Sequence, residues 1–124
     1  MDYYQIPSLS SVYLEDSYVL AIHEHDDRLV FDLDVVLTEN HPFYNQPKEG
    51  EQYCYKRALL RFSGVSYIEW VHRRFVKFTD AAGESDYGNI DVFSKEGDCC
   101  ALAGDWGEVK VKCSTIELTF VDYD

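Results

Sequence analysis

The stretch LVFDLDVVLT, residues 29 to 38, sets Leu29, Phe31, Leu33, Val35 and Leu37 on one parity and Val30, Asp32, Asp34, Val36 and Thr38 on the other. Successive side chains of an extended chain point to opposite faces, so this alternation predicts a half-buried strand with Leu33 in its inward set. The same period of two recurs along the chain. Tyr18 to His23, Gln52 to Phe62, Val65 to His72, Ile90 to Phe93, Cys99 to Ala103, Val109 to Cys113 and Thr115 to Val121 all read as strands, and Ile116, Leu118 and Phe120 form the inward set of the last. Turn residues punctuate them: His25-Asp26-Asp27-Arg28, Ser63-Gly64, Lys95 to Asp98 and the GDWG of 104 to 107, where glycine supplies positive φ. Two longer loops run from His41 to Gly50, which holds Pro42 and Pro47, and from Thr79 to Asn89. The expectation is all-β: an antiparallel β-sandwich or barrel of seven or eight strands, with at most one short helix in Arg73 to Ala82.

A chain of 124 residues has the usual size of one domain, so residues 1–124 are expected to form a single all-β domain. Ten Tyr, seven Phe and two Trp supply enough apolar surface for a core. No run approaches the roughly 18 apolar residues that span a bilayer. Met1 to Ser10 lacks the basic and apolar regions of a signal peptide. A soluble, cytoplasmic protein is therefore expected. Cys54, Cys99, Cys100 and Cys113 show no CxxC pair and no framework spacing, which predicts reduced thiols, with Cys99 and Cys100 on opposite strand faces.

Charge is the most informative global property, with 23 acids against 11 bases and a formal net charge of −12. That excess argues against nucleic acid as a partner and favours either plain solubility or attraction of a basic protein partner. The charge is segregated: residues 1 to 40 and 78 to 124 each sum to −8, and residues 41 to 77 sum to +4.

HEHDD, residues 23 to 27, is the stretch most suggestive of chemistry. His23 and His25, two apart on a strand, share a face and could offer two imidazoles to one metal ion. A metal-dependent β-barrel enzyme would need a third ligand, for which Asp26, His41, His72 and Asp91 are the candidates. The competing reading is a solvated hairpin tip. Cupins carry an HxH pair with flanking glycines and a later glutamate, and no glycine precedes His23 here. The chain contains no GxSxG elbow, P-loop or GxGxxG, and no motif that requires a cofactor. DYGNID, residues 86 to 91, lacks the calcium-loop pattern, and Asx turns account for its oxygens.

If Ser63-Gly64 closes a tight hairpin, Leu60 faces Tyr67 on an apolar side. On the other side Arg57 faces Trp70 and Tyr55 faces His72. Tyr55, Arg57, Trp70 and His72 then form a partner-binding face of hot-spot residue types, with Arg57 stacked over Trp70.

The strings YLEDSYVL (13–20), DYGNIDVF (86–93) and GDWGEV (104–109) resemble those of short, uncharacterised bacterial all-β proteins. Some of these are similar to immunity proteins, which neutralise a toxin. The resemblance implies a bacterial cytoplasmic setting and a partner-binding role, and it assigns no functional residue. Three readings follow: a non-enzymatic binding protein with a basic partner, a metal enzyme using His23 and His25, and a sandwich carrying a ligand in an apolar pocket.

Overall fold

The computed structural model describes residues 1–81 and 83–121. After two short 3-10 turns, Tyr3–Gln5 and Pro7–Leu9, the described residues form ten strands. They are β1 (Val12–His25), β2 (Arg28–Leu37), β3 (Cys54–Ser63), β4 (Tyr67–Arg73), β5 (Phe78–Thr79), β6 (Ser85–Asp86), β7 (Ile90–Glu96), β8 (Cys99–Gly104), β9 (Gly107–Lys112) and β10 (Thr115–Phe120). One sheet has the order β1-β2-β3-β10 and the other β4-β9-β8-β7, with β5 and β6 forming a separate two-residue pair. Every strand pairing among the described residues is antiparallel. The expected all-β sandwich is present. The strand count exceeds eight because β5 and β6 are too short to leave a periodic signal. No α-helix occurs among the described residues; Arg73 to Ala81 is extended or irregular, and Ala82 lies outside them. No helix among the described residues is long and apolar enough to cross a membrane.

The alternation in β2 does what the pattern demands. Leu29, Phe31, Leu33 and Val35 are fully buried. They meet Ala58, Leu60 and Phe62 of β3 and, from the facing sheet, Phe93, Leu102 and Val109 in one continuous cluster. Phe62 lies 5.7 Å from Phe93, and Phe31 lies edge-on to Trp106 at 5.1 Å. Trp106 sits in the turn between β8 and β9, yet it is fully buried. Its ring also meets Trp70 edge-on at 6.0 Å, and the Trp106 indole N–H donates to the Asn89 carbonyl at 3.0 Å. The two glycines of GDWG serve different ends. Gly107 has φ of 131°, as expected. Gly104 has no positive φ, and is required because a Cβ there would fall 2.0 Å from the Asn89 carbonyl oxygen.

The Ser63-Gly64 hairpin does not form. β3 pairs with β2 and β10, and β4 pairs with β9 in the other sheet, so Leu60 lies opposite Leu118 and Phe31 while Tyr67 lies opposite Lys112. The chain uses Gly64, at φ 63°, to step from one sheet to the other. The β9–β10 connection makes the same step beside it, and the two are joined by Ser66 N–H to Lys112 O and Ser114 N–H to Ser63 O, both 2.9 Å. Val65 N–H finds Asp27 O at 2.9 Å. Crossing together satisfies backbone groups that a lone crossover would leave unpaired. It also lets the long apolar face of β3 pack between two strands rather than one.

β1 carries a wide irregularity, since Tyr13 pairs with Val36 but Tyr18 pairs with Asp34. Ser17 repairs it. This fully buried hydroxyl donates to Tyr13 O at 2.7 Å and accepts from Val36 N–H at 2.9 Å, replacing the missing ladder bond. Ser17→Ala should therefore cost about 1–3 kcal/mol, the penalty of a stranded buried amide, and urea unfolding will measure it. A loss well under about 0.5 kcal/mol would mean that water reaches Val36 N–H.

Candidate functional site

His23 and His25 occupy the end of β1, in a hairpin whose two-residue turn is Asp26-Asp27; His23 pairs with Val30 and His25 with Arg28. Both imidazoles are exposed. Among the described residues no group of three or more His, Cys, Asp or Glu is placed to hold a metal ion. Of the proposed third ligands, Asp26 lies in the turn itself and Asp91 on β7. His72 is on β4 of the other sheet. His41 packs against Phe120 at 5.0 Å, its Nδ1 accepts from Phe43 N–H, and burial pushes its pKa down. The four cysteines are free, with Cys54, Cys100 and Cys113 buried and Cys99 exposed, as alternation across Cys99-Cys100 requires. Burial, followed by the neighbouring Cys113, pushes the Cys100 thiol up to about 12 and keeps it protonated.

The face expected to join Tyr55, Arg57, Trp70 and His72 is divided by the sheet crossing. Tyr55 and Arg57 lie on β3, and Trp70 and His72 on β4 of the opposite sheet. Arg57 does not stack on Trp70. Its guanidinium grips Asp32 on the adjacent strand, with Nη2 2.8 and 3.0 Å from the two carboxylate oxygens and Nε at 3.2 Å. The cation over Trp70 is Arg73, 4.5 Å from the ring centroid. Glu24, near the end of β1, accepts from the Trp70 indole at 2.7 Å and from Arg73 at 3.2 Å. Phe75 extends this cluster at 5.4 Å from Trp70. His72 sits opposite Glu108 and is exposed.

What Tyr55 joins instead is a groove of about 480 Å³ on the outward side of β1, β2 and β3. Its floor comes from the outward parity of those strands at Tyr18 of β1, Asp34 of β2 and Tyr55 of β3, joined by Leu20 from a bulge in β1 between Val19 and Ala21. Tyr18 pairs directly with Asp34, and the Tyr18 and Tyr55 rings stack at 5.8 Å with 26° between their planes. The two long loops supply the walls. Gly50, Glu51 and Gln52 come from the loop after β2, and Asp80, Glu84, Ser85 and Asp86 from the β5–β6 hairpin. Part of the acidic wall is also structural. Asp80 Oδ1 accepts Glu84 N–H at 2.9 Å, and Asp86 Oδ1 accepts Gly88 N–H at 2.7 Å. Among the described residues, five carboxylates and no lysine or arginine line this space.

Asp34 is the distinctive member. It is half-buried, and among the described residues its carboxylate has neither a hydrogen bond nor an ion pair, because Arg57, its partner in register, is committed to Asp32. Desolvation raises its pKa; Arg57 and, more weakly, Lys48 oppose the shift, and Glu51 and Glu84 add to it. Tyr55 is pushed above the ordinary phenol range, by desolvation first and then by Tyr18 and Asp34, so it remains a neutral hydroxyl. The arrangement offers negative potential over an aromatic floor, which suits a cation.

Glu51, Asp80, Glu84 and Asp86 are not identifiable as site residues from sequence, where they are ordinary loop acids. Only the paired outward acids of β2, Asp32 and Asp34, mark this face in the linear pattern. Comparison with protein-family models, curated proteins and solved structures found no match for this chain.

A raised folded-state pKa means that ionised Asp34 opposes folding. The stability its neutral form contributes is fully present below the ordinary carboxylate range and is lost as pH rises through the raised value. Asp34→Asn should therefore be more stable than the parent at about pH 7, with the difference shrinking as pH falls below about 4. Urea midpoints across this range will test it, and a parent more stable at neutral pH would contradict the desolvation account.

Proposed function

We propose that this chain is a non-enzymatic binding protein whose tyrosine-floored acidic groove receives a cationic segment of a protein partner. In the reading closest to its sequence resemblance, it acts in the manner of an immunity protein, holding a basic partner in the bacterial cytoplasm. The observation that carries the proposal is the groove itself, in which Asp34, Glu51, Asp80, Glu84 and Asp86 surround the stacked Tyr18 and Tyr55. A net charge of −12 supports it from a distance, because long-range attraction raises the rate at which a basic partner arrives. The local acids then decide where it settles. Tyrosine contributes wide, stiff contact area with little conformational freedom to lose, as interface anchors do.

Of the four residues first expected to share a binding face, Tyr55 belongs to the groove. Arg57 borders it through Asp32, and Trp70 and His72 lie on the other sheet.

The test must separate the groove from overall charge. A short peptide of alternating arginine, lysine and serine should bind saturably at low salt, and affinity should fall as ionic strength shortens the Debye length to about 10 Å at 0.1 M. Glu51→Lys with Glu84→Lys should weaken binding by more than about tenfold, a loss of about 1.4 kcal/mol. Glu108→Lys with Glu117→Lys changes net charge equally on strands that do not line the groove, and should cost less than about threefold. Equal losses in the two double variants would reduce the effect to net charge and defeat the proposal.

A further inference from the structure

Building on the reading of the groove as a cation site, we propose that it selects arginine over lysine, with one partner guanidinium forking onto Asp34 while resting against the Tyr55 ring. Three features of the molecule carry this. First, Asp34 is a half-buried carboxylate with no hydrogen-bond or ion-pair partner among the described residues. A carboxylate already stripped of part of its water gains most from a donor that brings two parallel N–H groups and little hydration of its own. An ammonium is a compact, strongly hydrated charge, and it must shed water to enter the same space.

Second, the acid and the rings lie side by side. Tyr18 is directly across from Asp34, and Tyr55 sits on the neighbouring strand opposite Val36, one step along the same outward face. A planar cation laid on a phenol ring can keep its edge toward the carboxylate, an arrangement a tetrahedral ammonium cannot copy.

Third, the protein already builds both halves of this geometry with its own arginines. Arg57 forks onto Asp32 on the adjacent pair of strands, and Arg73 lies over Trp70 while bonding to Glu24. The Asp34 position repeats the acid and the aromatic surface and lacks only the guanidinium. Arg57, in register with Asp34, is held by Asp32, so the Asp34 carboxylate keeps its acceptor oxygens for a donor from a partner.

Labelled hexa-arginine and hexa-lysine peptides should be titrated at low salt against the intact chain, Asp34→Asn and Tyr55→Leu, with circular dichroism and urea midpoints confirming that each variant is folded. Hexa-arginine should bind at least about tenfold more tightly than hexa-lysine. Asp34→Asn should weaken both peptides, the arginine peptide by at least about tenfold more than the lysine peptide, so that the two affinities converge, and Tyr55→Leu should narrow the gap to a smaller degree. Equal binding of the two peptides to the parent would overturn the selectivity and leave the cation groove standing. An arginine preference that survives both substitutions would overturn it as well, by placing the preference elsewhere. Failure of both peptides to bind would remove the groove reading and this inference together.

Discussion

Two adjacent backbone crossings between the sheets govern this molecule. Where β3 passes into β4 and β9 into β10, the chain leaves one hydrogen-bonded ladder before it joins the next, and each leaves amides and carbonyls to be paired. They are paired with one another, through Ser66 to Lys112 and Ser114 to Ser63. The close approach explains the residue types present. A Cβ on Gly64 would meet Ser114 Oγ at 2.5 Å, so a larger residue there would push the two connections apart. The crossings also fix which strands become neighbours, because β10 must follow β3 into one sheet as β9 follows β4 into the other.

The site follows from that arrangement. With β3 held between β2 and β10, its inward residues Ala58, Leu60 and Phe62 complete the core, and its outward residues Tyr55 and Arg57 stand beside the acids of β2. Arg57 chooses Asp32, and Asp34 is left with the tyrosines. The β5–β6 wall of the groove is tied down independently. Val19 exchanges backbone hydrogen bonds of 2.8 Å with Tyr87 and Gly88, which holds the end of the β5–β6 segment against the free edge of β1. The groove is therefore a product of three chain segments far apart in sequence, brought together by main-chain bonding.

Local patterns were readable wherever a single strand carried enough information. The alternation from Leu29 to Leu37, the inward Ile116, Leu118 and Phe120, and the hairpin tip at Asp26-Asp27 all follow from parity and turn chemistry. The pairing of strands was less legible. A Ser-Gly step suits both a tight hairpin and a crossover, and the choice depends on burying β3 between β2 and β10, which no short window contains. The Arg57–Trp70 stack failed for that reason. Trp106 and Tyr3 were missed as core residues because one sits in a turn and the other in a short 3-10 segment, where no periodicity reveals the inward direction.

Cross-strand proton contacts measured by nuclear Overhauser spectroscopy test the crossing most directly. Val121 N–H bonds to Arg57 O, so Leu60 and Leu118, three steps along each strand, form a non-hydrogen-bonded pair. Such pairs bring Cα atoms to about 4.5 Å and give strong Hα–Hα signals. A strong Leu60–Leu118 contact, with none between Leu60 and Tyr67, is the expected result. A Leu60–Tyr67 contact in its place would restore the hairpin and contradict both the sheet order and the groove built upon it.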